Sequence, residues 1–167
     1  MCGRPSRVGG APKSLSCPSS AMTVVSPYEV RPARGDQEYA DLLALRYEVF
    51  CVEQGVPRHE EVDGRDGGAV HLVAVRDDVV LGTCRLVFVG TTVQFSRLAV
   101  RTSARRQGIA TTLLEEADAQ TRAGGARRLV LHAQTYAREL YERAGYRARG
   151  RPFVEAEIEH VAMEKTL

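Results

Sequence analysis

The sequence predicts an α/β protein of one domain, with a mixed sheet flanked by helices. Two observations carry that prediction. Short β-type runs alternate with segments of helical spacing in the order β-α-β-β-β-α-β-α-β. The chain of 167 residues, 44% of them hydrophobic and 26% charged, is long enough for one hydrophobic core.

Residues 1–26 hold Gly, Pro, Ser and Arg but no acidic residue and no periodic apolar pattern, and are expected to form a disordered tail. Translation starting at Met22 would place most of it upstream of the true start. The tail also lacks the continuous apolar stretch of a secretory signal. The folded domain is expected over residues 27–167. Tyr28-Glu29-Val30-Arg31 alternates like a half-buried strand. Asp36 can cap a helix that gathers Tyr39, Leu42, Leu43, Arg46, Val49 and Phe50 on or near one face. Gly55 and Pro57 end it, and an irregular acidic stretch runs to Asp66. Three strand-like runs follow at 69–76, 79–89 and 93–100, with turns at Asp77-Asp78 and Gly90-Thr91. Helical spacing resumes at Ile109, Leu113, Leu114 and Ala117 and stops at Gly124-Gly125. A short strand lies at 129–131. Ala137, Leu140, Tyr141 and Ala144 mark a helix ending at Gly145, and a strand near 157–164 closes the domain.

Bulk properties exclude several classes. A formal net charge of +2 is far from the strong basic excess of a general nucleic-acid binder, so no nucleic-acid partner is expected. No apolar run approaches a membrane span, so no membrane partner is expected either. Cys2, Cys17, Cys51 and Cys84 form no CxxC pair and have no spacing for a zinc site or a disulfide framework. No metal is expected, and a reducing, cytoplasmic setting fits best.

The segment richest in chemistry is the strand Phe95-Ser96-Arg97-Leu98-Ala99-Val100, followed by Arg105-Arg106-Gln107-Gly108-Ile109-Ala110 opening a helix. Helix N-termini leave N–H groups unpaired and carry partial positive charge, which favours phosphate. Gly108 and Ala110 allow close approach of a diphosphate, and Arg105 and Arg106 add charge-assisted hydrogen bonds.

Leu98-Ala99-Val100 with Arg105-x-x-Gly108-x-Ala110 resembles the acetyl-CoA-binding motif of GNAT acetyltransferases. Gln134-x-x-Ala137-x-x-x-Tyr141-x-x-x-Gly145-Tyr146 is similar to that family's second motif, with Gln in place of the usual Asn. Arg46-x-x-Val49-Phe50-x-Val52-Glu53-Gln54, Pro57, Glu61-x-Asp63, Leu131-x-Ala133-Gln134 and the closing Glu155…His160-x-x-Met163 are similar to its ElaA-like branch. The resemblance implies the GNAT acyl-CoA N-acyltransferase fold, with a central sheet splayed at the cofactor cleft. It implies acetyl-CoA as cofactor, held by Leu98, Ala99, Val100, Arg105, Arg106, Gln107, Gly108, Ile109, Ala110, Gln134 and Tyr141. The backbone of Leu98 and Val100 would pair with the pantetheine amides, and a backbone N–H of that strand would polarise the thioester carbonyl.

Transfer from a thioester to an amine needs a neutral amine, a stabilised oxyanion and a proton for the leaving thiolate. A phenol of pKa about 10 can supply a thiolate of pKa about 8.5, and Tyr141 matches the family's tyrosine acid. From the residues alone Tyr141 also shares a helical face with Ala137 and Leu140, where it would be a core aromatic. Glu53, Glu60, Glu61 and Asp63 follow the first helix, where the family builds its acceptor site; together they would attract a cationic amine. Glu53 and Glu61 are the candidate bases, Glu53 the one expected to be semi-buried. With Asp63 and His132 they are the candidate acceptor-binding residues. The acceptor implied is a small-molecule or peptide amine, and the protein a monomer or homodimer. Two other activities share the fold. An acyl-homoserine-lactone synthase has a comparable acidic, arginine-punctuated N-terminal half, but the absence of Trp and the presence of Arg105-x-x-Gly108-x-Ala110 count against it. A non-catalytic acyl-CoA sensor would bind cofactor and release no thiol.

Overall fold

The computed structural model describes residues 27–167. The expectation of a disordered tail over residues 1–26 lies outside the described residues. In chain order the elements are β1 (Glu29–Pro32), α1 (Gly35–Arg46) continuing as a π-helical segment (Tyr47–Glu53), α2 (Arg58–Glu61), β2 (Val70–Arg76), β3 (Val79–Val89), β4 (Thr92–Val100), α3 (Ile109–Ala123), β5 (Arg128–Gln134), α4 (Arg138–Arg143), β6 (Arg147–Glu155) and β7 (Ile158–Thr166). The seven strands form one sheet in the order β1-β2-β3-β4-β5-β7-β6.

Neighbouring strands run antiparallel except β4 and β5, which are parallel. That parallel pair holds for only three residues, Thr92 to Gln94 against Arg128 to Val130. Beyond it β4 runs on to Val100 and β5 to Gln134 without pairing to each other, so the sheet splits into a V that opens toward the C-terminal ends of both strands. A β-bulge sharpens the divergence. Arg85 of β3 faces Ser96 and Thr83 faces Ala99, which leaves two β4 residues, Arg97 and Leu98, against Cys84 alone. Arg97 takes the left-handed conformation there, φ 58°.

Each sheet face carries its own core. On one, Ile109, Leu113, Leu114 and Ala117 of α3 pack on Leu72, Leu86, Phe95 and Leu131. Gly82 on β3 permits that approach: a Cβ there would lie 2.7 Å from Ile109 Cγ2. On the other face Leu42, Leu45 and Val49 pack on Val73, Val80 and Ala99.

Several expected bounds hold closely, including β3, the end of α3 at Gly124-Gly125, and the Asp77-Asp78 turn, whose two positive φ angles suit a two-residue hairpin. Three expectations are corrected. Asp36 lies inside the first turn of α1, after an N-terminus that no side chain caps. The region after Pro57 contains α2. The closing strand has a partner, β6, that the pattern did not predict: Arg147–Glu155 is an edge strand carrying Gly150, four charged residues and Pro152, which an edge tolerates because one side of its ladder is empty. Ala156 and Glu157, both at positive φ, turn β6 into β7.

Candidate active site

The V between β4 and β5 opens into a cavity of about 880 Å³, lined from both sheet halves, the π segment, α2, α4 and the start of α3. Its walls include all the expected cofactor and acceptor residues except Gln107, which lies in the loop just before Gly108.

At one end lies the N-terminus of α3. Gly108 occupies its N-cap at φ 80°, and no side chain caps it. The first-turn N–H groups of Ile109, Ala110 and Thr111 have no carbonyl four residues back within the helix, and none bonds elsewhere in the backbone. Arg106, also left-handed at φ 62°, bends the loop around this opening and makes no side-chain hydrogen bond among the described residues. Open N–H groups, the positive helix end and a free guanidinium converge as a diphosphate requires, so the residues fit coenzyme A. A Cβ on Gly108 would meet only Tyr28 Oη at 3.7 Å, so its glycine serves the backbone angle more than space.

Arg105 is placed differently. Its Nη1 and Nη2 donate to the two carboxylate oxygens of Glu53 at 2.7 Å each, and its Nε donates to the carbonyl of Val100 at 3.1 Å. The hydrogen bonds from Arg105 hold the Glu53 carboxyl below its ordinary range despite some desolvation. Glu53 was expected to be semi-buried beside its apolar neighbours; it is exposed, because the π turn points it at the β4–α3 loop. The next residue, Gln54, reaches the other wall. Its Oε1 accepts from Gln134 Nε2 at 2.8 Å and its Nε2 donates to Tyr136 Oη at 3.3 Å. The widened turn thus ties both arms of the V.

The acidic cluster is not a free negative surface. Arg46, fully buried, donates from Nε to Glu61 Oε1 at 2.5 Å and from Nη1 to Asp66 Oδ1 at 2.8 Å. Arg85 donates through both terminal nitrogens to Asp63 at 2.7 Å and from Nη1 to Asp66 at 3.0 Å. Arg97 donates to Asp63 Oδ2 at 3.3 Å and to the carbonyls of Glu60 and Glu61. Three guanidiniums therefore match three carboxylates. The expected pull of Glu61 and Asp63 on a cationic amine is corrected accordingly: Glu61 is buried and charge-compensated, and hydrogen bonds from Arg85 hold Asp63 well below the usual carboxylate range. Burial pushes Asp66 up, but Arg46 and Arg85 together bring it below its ordinary value. Burial, then the like charge of Arg85, lowers Arg97.

Tyr141 lies deep in the cleft on α4, with its ring edge-on to Phe95 and Tyr146 at centroid distances of 6.3 and 5.9 Å. Its hydroxyl has no hydrogen-bond partner among the described residues and is not sealed from the cavity that the residue lines. Burial raises its pKa, so the phenol stays protonated across the neutral range. His132 is about half exposed; its Nδ1 lies 3.0 Å from Glu155 Oε2, and its ring stands edge-on to Phe153. Tyr136 is a site residue that no sequence motif includes, and Gln54, Arg97 and Glu155 stand in quoted motifs without a role assigned to them. The bulge at Arg97 and the π turn at Gln54 leave no periodic signature, and Glu155 reaches the site only through the unpredicted β6.

A splayed sheet with an uncapped helix at its notch defines an acyl-CoA transferase cleft. Residues 32–167 match the family described as Acetyltransferase (GNAT) domain, and the chain belongs to that family. Its members use acetyl-CoA as acyl donor, and this chain is an acetyl-CoA-dependent N-acetyltransferase in class. The chain is 30% identical to the uncharacterized N-acetyltransferase YjcF of Bacillus subtilis over 134 residues, 80% of this chain and 96% of that one. Among solved structures it is similar to an acyl-CoA N-acyltransferase from Pseudomonas aeruginosa, at 32% identity and TM-score 0.74, covering 83% of this chain and 99% of that one. Escherichia coli ElaA, 21% identical, shares the fold with TM-score 0.75 over 83% of this chain and 99% of its own. Among the described residues no group of His, Cys, Asp and Glu is arranged to hold a metal ion, and no helix is long and apolar enough to cross a membrane.

Proposed function

We propose that the protein transfers an acetyl group from acetyl-CoA to a primary amine by direct attack in a ternary complex. The observation that carries this is the V between β4 and β5, with the uncapped start of α3 at one end and the charge-paired α2 and β6–β7 walls beyond it. Coenzyme A supplies the activated thioester when bound. The N–H groups of Ile109 and Ala110, with Gln107, Gly108 and Arg106, hold its diphosphate. Arg105 assists through its two remaining N–H groups, its charge already compensated by Glu53. The unpaired edge of β4 from Leu98 through Ala99 to Val100 offers backbone groups to the pantetheine amides and an N–H to the thioester carbonyl, and Gln134 closes the opposite wall.

The acceptor enters from the side of α2 and the β6–β7 hairpin, between Asp63 and His132. Because the arginine–carboxylate lattice is balanced, its selection rests on hydrogen bonding more than on net negative field. Glu53 and Glu61, each locked to an arginine, serve as positioning residues. Tyr141 donates the proton to the departing thiolate. Free cysteines at Cys51 and Cys84 support a reducing, cytoplasmic setting, and the domain acts as a monomer or homodimer.

The test combines calorimetry of coenzyme A binding with a thiol-release screen of acetyl-CoA against polyamines, aminoglycosides, amino acids and peptides. Binding with amine-dependent thiol release is expected. Binding without release from any amine would make the protein an acyl-CoA sensor, and release only with S-adenosylmethionine would make it a lactone synthase.

A further inference from the structure

His160 on β7 is nearly buried, yet lines the cleft. Its Nδ1 lies 2.7 Å from the carbonyl oxygen of Ile158. A carbonyl can only accept, so Nδ1 carries the proton and Nε2 presents a lone pair. Nε2 has no hydrogen-bond partner among the described residues, and it is not among the atoms sealed from solvent. Phe153 on β6, directly opposite in register, stacks on the ring with centroids 6.0 Å apart and planes at 21°, which fixes its tilt. On the other side the register partner is Gln134, at the end of β5 where the V is widest.

We infer that His160 is the general base of the transfer: its Nε2 takes the proton from the attacking amine. This rests on the acetyl-transfer proposal above. The acceptor arrives as an ammonium and gives one proton to Nε2, directly or through one water. The neutral nitrogen then forms the C–N bond at the thioester carbonyl, and the C–S bond breaks. The thiolate takes a proton from Tyr141, which is replaced by the second proton leaving the new amide nitrogen through solvent. The imidazolium returns its proton to bulk water.

Most other carboxylates and the second imidazole of the cleft are occupied, while Glu60 stands exposed on α2 with only His59 Nε2 nearby, at 4.0 Å. Glu53 is bound by Arg105, Glu61 by Arg46 and Asp63 by Arg85 and Arg97. His132 has its Nδ1 on Glu155 in a half-exposed position. The groups facing His160 are Gln134 from β5 and Phe153 from β6, with the His132–Glu155 pair beyond Phe153 and Tyr136 on the turn after β5. None of these partners holds Nε2.

The experiment is the pH dependence of kcat/KM for the wild type and His160→Gln, using an amine that the screen shows to be acetylated, with coenzyme A affinity measured in parallel. The expected result is a wild-type rate that falls on acidification. In His160→Gln, kcat is lower by about 10²–10⁴-fold, the acid limb is gone, and coenzyme A affinity is held within about threefold. A second measurement needs no variant: the ¹⁵N signal of His160 Nε2 in the wild type should titrate with the midpoint of the kinetic limb. A variant that retains more than about half of wild-type kcat/KM, or an imidazole midpoint more than about one pH unit from the kinetic one, overturns the assignment. Failure of the underlying proposal looks different, because then the wild type itself releases no thiol with any amine.

Discussion

Glu53 and Arg105 meet carboxylate to guanidinium across the mouth of the cleft, two parallel hydrogen bonds of 2.7 Å joining the π segment to the β4–α3 loop. A fork of this kind fixes orientation as well as charge. It holds Glu53 ionised below its ordinary range, which makes the carboxylate a weak proton acceptor at neutral pH and a strong anchor.

Glu53→Gln should therefore leave the pH profile of kcat in place and raise KM for acetyl-CoA, since the loop that carries the diphosphate site loses its tether. Steady-state kinetics across pH checks this. A loss of about 10²-fold or more in kcat with the acid limb abolished would return the base to Glu53.

Among the described residues the Arg106 side chain makes no hydrogen bond, and it lines the cavity two residues before the N-cap of α3. Arg106→Ala should remove one charge-assisted bond worth about 1.5–3 kcal/mol, weakening coenzyme A by roughly tenfold to a hundredfold. The melting temperature should hardly change. Gly108→Val should be worse on both counts, because a β-branched residue at φ 80° is strained. Calorimetry and thermal melts on the two variants check the pair.

Tyr141→Phe keeps the ring and its edge contacts with Phe95 and Tyr146, and loses only the donor. Turnover should fall by about 10²–10⁴-fold with coenzyme A affinity little changed. If Tyr141 is a packing aromatic alone, Phe turns over normally and only Ala loses stability. Because burial raises the phenol, no alkaline limb from this group is expected near neutral pH.

Arg46 is fully buried between Glu61 and Asp66. Arg46→Met removes the hydrogen-bonded partner of the buried Glu61 carboxylate, leaving it only Arg97 Nε at 3.7 Å, and should destabilise the fold by about 3 kcal/mol, measured by urea unfolding. Adding Glu61→Gln should recover part of that loss, because the buried charge is gone.

Asp63 responds to pH in a defined direction. Hydrogen bonds from Arg85 put its folded-state pKa below the unfolded value near 3.9, so the native state binds fewer protons in that window. The stability it contributes is present above about pH 4 and drains away as pH falls toward the folded pKa. Asp63→Asn should lose stability less steeply below about pH 4 than the wild type, as followed by acid-dependent thermal melts.

Local pattern determined a large part of this protein. The strand-like apolar runs of β2 to β4, the helical spacing of Ile109, Leu113, Leu114 and Ala117, and the turn residues at Asp77-Asp78 and Gly124-Gly125 are short-range signals, and these strands and α3 lie where they point. The opening of α3 at Gly108 was legible for the same reason: an arginine-rich loop with a glycine before an apolar helix has one economical geometry. Only the tertiary structure decided the rest. β6 carries four charged residues with a Gly and a Pro between them, and exists because β7 offers it an edge. Arg46, Glu61, Asp63, Asp66 and Arg85 come from α1, α2, the loop before β2, and β3, and nothing short-range says which acid meets which arginine. Glu53 and Arg105, 52 residues apart, are joined by a π turn and a splayed sheet that leave no period in the sequence. His160 carries its proton on Nδ1 because of one carbonyl two residues back, and its tilt is set by one ring across a hairpin. Periodicity reports which face of an element is apolar; the state of an ionisable group depends on what stands within about 4 Å of it, and the fold alone brings those neighbours together.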